Sequence, residues 1–533
     1  MAFRPGLAVA LALVTSCYLS ATPSSSAASD GCFIQCLREN IPSELIFTPG
    51  SSKSNFTGVL ESTIRNSRFL ANTTVRPICI VTVTDASHVQ AAVRCGRTNG
   101  VHLRARSGGH DYEGLSYRSV RPETFAVVDL ANLRTITIVT TADEPPTAWV
   151  DSGATVGELY YTVANKSSNN TLAFPAGVCT TLGVGGHFSG GGIGSMMRKH
   201  GLSVDNVVDA KLVDANGELL DRAAMGEDLF WAIRGGGGES FGIIVSWKVR
   251  LVRVPPKVTV FHITRTLEQG AVDVLTNWQH VAPTMPDDIN MEVLVQGAPQ
   301  GQQQQVAVFF QFLYLGTCDD ILPTIVSCLP ELNATKADCN EMTWLESTAF
   351  MNFGDTNTTQ LLDRSTGPNF FKNKSDYVRR GIARSVWLEI LTKWLAMNGS
   401  GIIILEPHGG FVGSVPTGAT PYSHRSGVLY NIQYVASWSA GDDSSVAIDW
   451  VDSFYDFMGQ YVTKSPREAY VNFRDLDIGQ NTVVNDVSTF DSGKVWGEKY
   501  FGSNFERLAT VKGKVDPTDY FRNEQSIPPL LQS

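Results

Sequence analysis

A chain of 533 residues with 43% hydrophobic and 18% charged residues has the composition of a folded globular protein, not of a disordered one. It is too long for one ordinary core, so we expect two or more domains. The net charge of −10 is spread along the chain without a basic stripe, which argues against a nucleic-acid partner.

Residues 1–28 have the pattern of a secretory signal peptide. Arg4 precedes a short apolar stretch from Leu7 to Val14, and small residues follow up to a predicted cleavage site near Ala27 or Ala28. A transmembrane anchor is the alternative, but it needs about 20 apolar residues. This run is shorter, and no later segment is apolar enough to span a bilayer. The pattern therefore predicts a secreted protein without a membrane partner.

Sequons and cysteines agree with export. N-x-S/T sequons, which need a surface position, begin at Asn55, Asn72, Asn165, Asn169, Asn333, Asn357, Asn373 and Asn398. Most cysteines of an exported chain should pair. Removal of the signal peptide removes Cys17. The mature chain then keeps Cys32, Cys36, Cys79, Cys95, Cys179, Cys318, Cys328 and Cys339. Four of these cysteines lie near the N-terminus and three lie within residues 318–339, whereas Cys179 stands alone.

The first predicted elements form a strand, a helix and a strand. Ile78–Thr84 is β-branched and apolar, Asp85 can cap a following helix, and Asn99-Gly100 can end it. Val101–Arg106 then alternates as a second strand. This order is typical of a parallel crossover.

Further signals continue to Pro256. Thr155 and Glu158 form a capping box for a helix. We expect strands at Phe125–Leu130 and Ala148–Asp151, a hairpin of Val207–Val213 with Leu219-Leu220, and a long strand at Ile243–Val254.

The pattern changes after Pro256 and predicts a second α+β domain. We expect strands at Asn290–Val295, Val306–Leu315 and Val428–Trp438, and helices near Leu267–Val281 and Ser375–Met397. Side chains alternate along Val428–Trp438. Tyr430, Ile432 and Tyr434 share one face of this strand, whereas Asn431 and Gln433 lie on the other with Leu429 and Val435. "GQQQQ" at Gly301–Gln305 is expected to be a loop.

Glycine is concentrated in three loops: Ser107–His110, Gly183–Met196 and Arg234–Gly242. None contains G-x-G-x-x-G or a P-loop pattern. A glycine loop can be a simple turn, but backbone N–H groups without side chains also suit a pyrophosphate or a flat ring. Three such loops favour a large anionic cofactor.

His110 and His187 each follow Gly-Gly, which raises the possibility of a metal site. Neither has a second histidine or cysteine at ligand spacing, so the sequence argues against zinc. The G-x-S-x-G pattern at Gly238–Gly242 precedes a strand, whereas a hydrolase nucleophile needs a strand before it and a helix after it. Two roles therefore stay open for His110: a structural histidine held by hydrogen bonds, or a histidine bonded to a cofactor.

These residues resemble those of the plant berberine bridge enzyme-like family of FAD-linked oxidoreductases. The matching pieces, from about Cys36 to the C-terminus, include "RSGGHDYEGLSY", "FPAGVCTTLGVGGHFSGGG", "GEDLFWAIRGGGGESFGI", "YVNFRDLDIG", "VWGEKYFGSNFERL" and "DPTDYFRNEQSIPPL". The resemblance implies an α+β protein with a two-subdomain FAD-binding domain of the vanillyl-alcohol-oxidase type. It also implies an α+β substrate domain with an antiparallel sheet.

The implied division of the chain has three parts after the signal peptide. Residues 29–255 form the FAD-binding domain, with its core at 75–255, and residues 256–464 form the substrate domain. Residues 465–533 return to the FAD-binding domain. The resemblance implies a disulfide between Cys36 and Cys95. We expect Cys32 to pair with Cys79, and one of Cys318, Cys328 and Cys339 to be left over.

In this family the flavin ring is held by two covalent bonds, which the resemblance assigns to His110 and Cys179. FAD cannot then dissociate, and it becomes a stronger oxidant. The other residues expected to cradle the pyrophosphate and ring are Arg106, Ser107, Gly108, Gly109, Asp111, Gly185, Gly186, His187, Gly190 and Gly194.

Oxidation of an alcohol needs a base for its proton and an acceptor for hydride. The resemblance places Gln433 where relatives direct a polar or acidic side chain at the flavin, but Gln433 does not titrate. Tyr117 and Tyr470 match tyrosines near the flavin, and a nearby cation could lower the pKa of either and make it a base. Phe473 lacks a hydroxyl that serves as base in some relatives. Two further residues depart from the family pattern. Asn431 stands where alcohol-oxidising members can carry lysine, and Ile193 stands where many relatives carry an aromatic residue.

Leu182 matches the residue that controls oxygen access in the family, where valine accompanies oxidases and bulkier residues accompany dehydrogenases. The resemblance therefore implies a secreted, bicovalent FAD dehydrogenase of the cell wall or apoplast with poor oxygen reactivity. Its partners would be an organic electron acceptor and a small alcohol: a phenylpropanoid alcohol, a sugar or a specialised metabolite. The alternative is a catalytically weakened extracellular flavin-binding glycoprotein. A non-flavin binding module would be colourless.

Overall fold

The computed structural model describes residues 25–50, 55–71, 74–141, 144–167, 171–297, 306–365, 367–396 and 401–531. Most of the predicted signal peptide, the Gly301–Gln305 tract and the sequons at Asn72, Asn169 and Asn398 lie outside these ranges. Within them, no helix is both long and apolar enough to cross a membrane.

The first sheet is built from β1 (Ile46–Phe47), β2 (Ile80–Thr82), β3 (His102–Arg106) and β4 (Phe125–Asp129) in the order β1-β2-β4-β3. The last three strands are parallel. Helices α1 (Ser25–Asn40) and α3 (Ala86–Asn99) pack on this sheet, and α2 (Phe56–Glu61) lies nearby. Asp85 caps α3, and Gly100 ends it in the left-handed conformation, as the sequence predicts.

The second sheet is antiparallel, in the order β5-β6-β10-β8-β9. Its strands are β5 (Ile136–Val139), β6 (Thr147–Asp151), β8 (Val207–Val213), β9 (Leu219–Leu220) and β10 (Ile243–Arg250). The short β7 (Leu172–Ala173) pairs with β11 (Val252–Arg253), so the predicted long strand is divided at Leu251. The connecting helices are α4 (Val156–Asn165), α5 (Val184–Ser189), α6 (Met197–His200) and α7 (Arg222–Ile233). The predicted capping box begins α4.

The third sheet has seven antiparallel strands in the order β15-β12-β14-β13-β17-β18-β16. They are β12 (Val258–Thr266), β13 (Ile289–Gly297), β14 (Val306–Tyr314), β15 (Cys339–Met342), β16 (Phe370–Val378), β17 (Ile402–Pro407) and β18 (Tyr430–Trp438). The helices between them are α8 (Ala271–Val281), α9 (Cys318–Cys328), α10 (Trp344–Phe353), α11 (Arg384–Ala396) and α12 (Gly410–Ser414), and α13 (Ser444–Met458) follows β18. Tyr430, Ile432 and Tyr434 of β18 face the apolar core that α8, α11 and α13 cover.

The C-terminal segment contains β19 (Val483–Val484), β20 (Val487–Ser488), α14 (Phe490–Phe501) and α15 (Phe505–Val515). Beyond α15 the chain contacts the first sheet. Glu524 is buried against Arg104 of β3, and Tyr520 and Phe521 join the core around that sheet. The domain boundaries at 255 and 464 stay predictions.

The predicted helix from Ser375 to Met397 is wrong in its first part. Residues 370–378 are β16, which pairs with β18 along its whole length, and α11 begins only at Arg384. The helical pattern was misleading because the polar residues of this segment are buried. Lys372 and Lys374 pair with Asp475, so long-range ion pairs and strand pairing override the local preference.

Two disulfides are present among the described residues. Cys36–Cys95 joins α1 to α3, as the family resemblance implies, and Cys318–Cys339 leaves Cys328 over. The expected bond from Cys32 to Cys79 is not formed, because Cys79 is a fully buried free thiol in the core around the first sheet. Burial raises the pKa of the Cys79 thiol to about 12, so the thiol stays protonated and unreactive.

Candidate active site

A cavity of about 520 Å³ lies between the glycine loops and the third sheet. This volume falls within the range of about 300–1,000 Å³ for small-molecule and cofactor sites. One side, here called the loop wall, consists of the cavity-lining residues from Ser107 to Asp111 and from Gly177 to Gly190. The opposite side, the sheet wall, consists of Glu292, Ile402, Ile404, Glu406, Gln433 and Val435.

His110 and Cys179 meet through a residue that the sequence analysis did not identify. The Thr181 hydroxyl lies 2.9 Å from Nε2 of His110 and 3.6 Å from Sγ of Cys179. Cys179 is exposed in the cavity and has no disulfide partner. The structure therefore brings together two residues that are distant in the chain, with one hydroxyl between them.

The His110 ring is neutral at physiological pH. Burial lowers the pKa of His110 to about 3, and the nearby Arg65 guanidinium acts in the same direction. A neutral imidazole keeps a lone pair on one ring nitrogen. His110 can therefore act as a nucleophile toward a bound ring.

The backbone of the loop wall fits an anionic cofactor such as FAD. Gly108, Gly109 and His110 line the cavity, and their N–H groups donate no hydrogen bond to any residue that the structure describes. Consecutive free N–H groups form an anion-binding concavity. Only glycine permits this arrangement at position 108, because a Cβ there would lie 2.4 Å from the backbone nitrogen of Gly183.

Three residues expected in the site lie behind the cavity instead. Arg106 is fully buried, pairs with Asp129 and donates to the carbonyl oxygens of Val59 and Leu60. Gly194 packs against the Ala176 carbonyl, where a Cβ would not fit. These two expectations are corrected: both residues support the loops without lining the cavity.

Tyr117 is the third. It is 1% exposed in an apolar cluster with Phe69 and Phe125, and its hydroxyl has no hydrogen-bond partner. Burial raises the pKa of Tyr117 far above its usual value. The expectation that Tyr117 contacts substrate is therefore corrected, because the side chain points away from the cavity lining.

His187 lines the cavity, but its ring is occupied by the loop that carries Cys179. Nε2 of His187 accepts a hydrogen bond of 2.9 Å from the Gly177 N–H. Burial lowers the pKa of His187 to about 4, so the ring stays neutral and can accept this bond. His187 thus positions the segment two residues before Cys179. Ser107, Gly185, Gly186 and Gly190 also line the cavity, as expected.

Asp111 is fixed by the C-terminal segment. Its carboxylate accepts from the N–H groups of Glu113 and Leu115 and forms an ion pair of 2.8 Å with Arg474. Arg474 also contacts Glu239 of the third glycine loop at 2.7 Å. Arg474 therefore holds two glycine loops at one end of the cavity.

Gln433 projects from β18 into the cavity with both amide protons already used. Its Nε2 donates to the Tyr112 hydroxyl and to Oδ1 of Asn373, each at 2.8 Å. Only its carbonyl oxygen is left to accept a hydrogen bond from a substrate hydroxyl. The neighbouring Asn431 is fully buried outside the cavity lining, where it donates to the Asp376 carbonyl.

The Tyr470 hydroxyl oxygen accepts three hydrogen bonds. The donors are the Gly192 N–H at 2.9 Å, the Ile193 N–H at 3.3 Å and Nδ2 of Asn472 at 2.9 Å. Burial nevertheless raises the pKa of Tyr470 to about 12, although these donors oppose the shift. Tyr470 lines the cavity as a neutral phenol that can donate its proton in a hydrogen bond.

Two family models match the chain, one in its N-terminal half and one near its C-terminus. A model described as an FAD binding domain matches residues 77–222, and one described as berberine and berberine like matches residues 469–528. Berberine bridge enzyme-like Cyn d 4 of Cynodon dactylon is 53% identical, covering 98% of this chain and 97% of the relative. The chain belongs to the berberine bridge enzyme-like family. It is an FAD-linked oxidoreductase of that family.

Solved structures agree with this assignment and with the predicted fold class. The grass pollen allergen Phl p 4, described as a glucose dehydrogenase, has a TM-score of 0.89 and 51% identity, covering 94% of this chain and all of that one. Berberine bridge enzyme from Eschscholzia californica has a TM-score of 0.87 and 37% identity over the same shares. A variant of Phl p 4 with isoleucine changed to valine is described as a glucose oxidase.

Leu182 of this berberine bridge enzyme-like chain lies in the loop wall beside Cys179. Its Cδ1 atom packs closely against Gly177, and its side chain is partly buried. Its N–H donates to the Cys179 carbonyl at 3.4 Å, so Leu182 and Cys179 belong to one tight turn. A branched side chain therefore lines the cavity in the same turn as the exposed thiol.

The acidic residues of the sheet wall were not predicted from the sequence. Glu292 and Glu406 both line the cavity, from β13 and β17. Each is a lone acid in an apolar strand, "INMEVLVQG" and "IIILEP". That pattern is a signal for a buried functional carboxylate, but it does not show that the two side chains meet.

One sequon is corrected by the geometry of the site. Asn373 is 1% exposed and bonded to Gln433 and to the Phe473 carbonyl, so no glycan can be attached in the folded protein. The described sequon asparagines that are exposed are Asn55, Asn165, Asn333 and Asn357.

Proposed function

We propose that this protein is a secreted dehydrogenase that oxidises a hydroxyl group of an aldose sugar, with FAD held covalently by His110 and Cys179. The observation that carries the substrate class is the relative Phl p 4, at 51% identity over 94% of this chain, which is described as a glucose dehydrogenase. A sheet wall that presents two carboxyl groups and an amide oxygen supports a polyhydroxylated substrate over a purely apolar one.

Several residues would hold the cofactor. His110 and Cys179 would bond the ring, and the free N–H groups of Gly108, Gly109 and His110 would contact the pyrophosphate. When bound, FAD supplies a two-electron acceptor that takes hydride from the substrate carbon. Thr181 holds His110 beside Cys179, so that both side chains reach one ring.

The substrate would lie between the two walls. The Gln433 carbonyl oxygen would accept a hydrogen bond from a sugar hydroxyl, because Tyr112 and Asn373 fix the amide in that orientation. Tyr470 would donate a hydrogen bond from its phenol and remain protonated throughout. Ile402, Ile404 and Val435 supply an apolar surface for the carbon-bearing side of the sugar and exclude water.

Leu182 supports the choice of a dehydrogenase over an oxidase. It lines the cavity in the same turn as Cys179 with a branched side chain larger than valine. The description of an isoleucine-to-valine variant of Phl p 4 as an oxidase agrees with a steric control of oxygen access. Two disulfides and four exposed sequons support secretion.

The test uses full-length protein purified from a secreting host. Yellow colour that remains in acid-precipitated protein, together with glucose-dependent reduction of an artificial dye, is the expected result. A colourless pellet contradicts covalent attachment. A yellow protein that no aldose reduces favours the catalytically weakened glycoprotein, for which the missing hydroxyl at Phe473 is the supporting observation.

A further inference from the structure

Glu292 and Glu406 lie side by side in the sheet wall. The β13–β17 register pairs Val293 with Leu405, which makes the two glutamates the next cross-strand pair. Residues directly opposite in this way have Cβ atoms about 4.5–5.5 Å apart and point to the same face, and like charges there destabilise a sheet. The sheet therefore carries an unfavourable pair at the edge of the cavity.

Neither carboxylate is neutralised by a cation. Glu292 is 8% exposed, and its carboxylate forms no hydrogen bond or ion pair with the residues that the structure describes. Oε2 of Glu406 is buried without a hydrogen-bond partner. The neighbours in register are neutral amides, Gln311 beside Glu292 and Asn431 beside Glu406.

The titratable groups that face Glu406 are also uncharged. They are the phenols of Tyr112, Tyr422 and Tyr470, whose pKa values are raised by burial and further by Glu406. His408 contacts the Glu406 carbonyl, and burial lowers its pKa to about 3. A buried carboxylate in such surroundings must hold a proton or meet a ligand.

Burial raises the pKa of both carboxyl groups, and the charge of Glu292 raises that of Glu406 further. Two adjacent carboxyl groups that cannot both ionise share one proton. At neutral pH one group of such a pair donates a hydrogen bond and the other accepts one. This combination matches two neighbouring hydroxyl groups of a sugar.

The pair lies in the sheet wall beside Gln433, because Ile404 pairs with Gln433 and Glu406 follows Ile404 on the same face of β17. Besides burial, the charges of Cys179 and Glu406 both raise the pKa of the Tyr112 phenol, which also receives the hydrogen bond from Gln433. Other candidates for the base near Gln433 are unsuitable. Gln433 and Phe473 cannot titrate, and the raised pKa of Tyr470 keeps it protonated.

We propose that Glu292 and Glu406 form a carboxyl–carboxylate dyad that accepts the hydroxyl proton of the substrate. This inference rests on the proposed function. As the sugar is oxidised, its O–H and C–H bonds break and a C=O bond forms. The proton goes to the dyad, and both electrons leave with hydride to the FAD of the family's oxidoreductase reaction. The dyad returns the proton to solvent after the product leaves.

The test compares Glu292→Gln, Glu406→Gln and the double variant of the holoprotein. Glu389→Gln, an exposed carboxylate on α11, is the control. Glucose reduces the flavin anaerobically in a single turnover at several pH values. The double variant should lose about 100-fold or more in the reduction rate, because general bases contribute about 10²–10⁴-fold. Its substrate affinity should change less.

Each single variant should keep part of the reduction rate. The increase of this rate with pH should begin at a lower pH than in the wild type. The amide then stabilises the one remaining carboxylate and no longer competes for a proton. Glu406→Asp, which keeps a carboxylate, should recover more of the rate than Glu406→Gln. A double variant with the wild-type rate and pH profile overturns the proposal.

A second readout needs no substrate. Carboxyl groups with a raised pKa keep protons in the folded state that the unfolded chain has released, so stability falls as pH rises above the unfolded value. The melting temperature of the wild type should therefore drop more steeply between about pH 5 and about pH 8 than that of the double variant. If no aldose reduces the wild type, the proposed substrate is wrong, and the melting temperatures alone test whether the two carboxyl groups share a proton. Parallel pH profiles of the melting temperature in the wild type and the double variant would then overturn the shared proton.

Discussion

The two walls of the cavity are built by different means. The loop wall presents backbone N–H groups and two reactive side chains, His110 and Cys179, which one hydroxyl holds together. The sheet wall presents side chains from three strands, and its carboxyl pair exists only because of the register between β13 and β17. These contents suit the loop wall to the proposed covalent attachment of FAD, and the sheet wall to the proposed exchange of protons with a substrate.

The largest expected effect is on the loop wall. Replacing both His110 and Cys179 by alanine should abolish covalent flavin, because these are the two nucleophilic side chains that the Thr181 hydroxyl contacts. Acid-precipitated protein should be colourless for the double variant and yellow for each single variant. Cys328→Ala, at a half-buried free thiol outside the cavity, is the control. A yellow pellet from the double variant would show that a different residue bonds the ring.

The sequence predicted the loop wall well because its information is local. Gly108, Gly109 and His110 are consecutive, and Cys179 stood out because it had no neighbour to pair with. The capping box of α4 and the face of β18 that carries Gln433 were also predictable, since both depend on residues within a few positions of each other.

The sheet wall was not predictable in the same way. The meeting of Glu292 and Glu406 depends on which strands are neighbours and in which register, and no short stretch contains that information. The end of β16, from Ser375 to Val378, was mistaken for the start of a helix for the same reason, because the buried Asp376 pairs with Arg467 of the C-terminal segment. Tyr117 was placed near substrate by its motif, but tertiary packing turned it into a separate apolar cluster.

A buried ion cluster holds the two walls together, and breaking it should give the next largest effect. Lys372 of β16 contacts Glu113 at 2.5 Å and Asp475 at 2.7 Å, with both acids almost fully buried. Asp475→Asn should lower the free energy of unfolding by about 3 kcal/mol, because Lys372 and Lys374 both lose a buried partner and Lys374 keeps only the half-exposed Asp477 and Asp452. The shift of the urea midpoint measures it.

Asp452 offers a matched control for this cluster. Its carboxylate contacts Lys374 at 3.1 Å but is 45% exposed. Asp452→Asn should cost no more than about 1 kcal/mol, as for other exposed pairs. Equal shifts of the urea midpoint for the two variants would show that burial does not control the strength of this cluster.

Oxygen access should respond to the loop wall more than to the sheet wall. Leu182→Val removes one methylene beside Cys179 and should speed reoxidation of the reduced flavin in air by about tenfold, or about 1.4 kcal/mol of barrier. Stopped-flow absorbance measures the rate. Ile404→Val removes the same volume from the sheet wall and should change the rate by less than about twofold, about 0.4 kcal/mol. Equal effects of both variants would contradict a gate at Leu182.

The smallest effect is expected from restoring the family hydroxyl at position 473. The Phe473 ring packs edge-on against Tyr112 and Tyr470, with centroids 6.0 and 5.0 Å apart, so a tyrosine hydroxyl would enter surroundings already rich in phenols. Burial would keep its pKa high, as it does for Tyr470. If the Glu292–Glu406 dyad is the base, Phe473→Tyr should change the rate of flavin reduction by glucose by less than about threefold, or about 0.6 kcal/mol. A gain of about tenfold or more, measured in the same anaerobic single turnover, would instead show that a tyrosine at position 473 accepts the substrate proton. The sheet wall would then only orient the sugar.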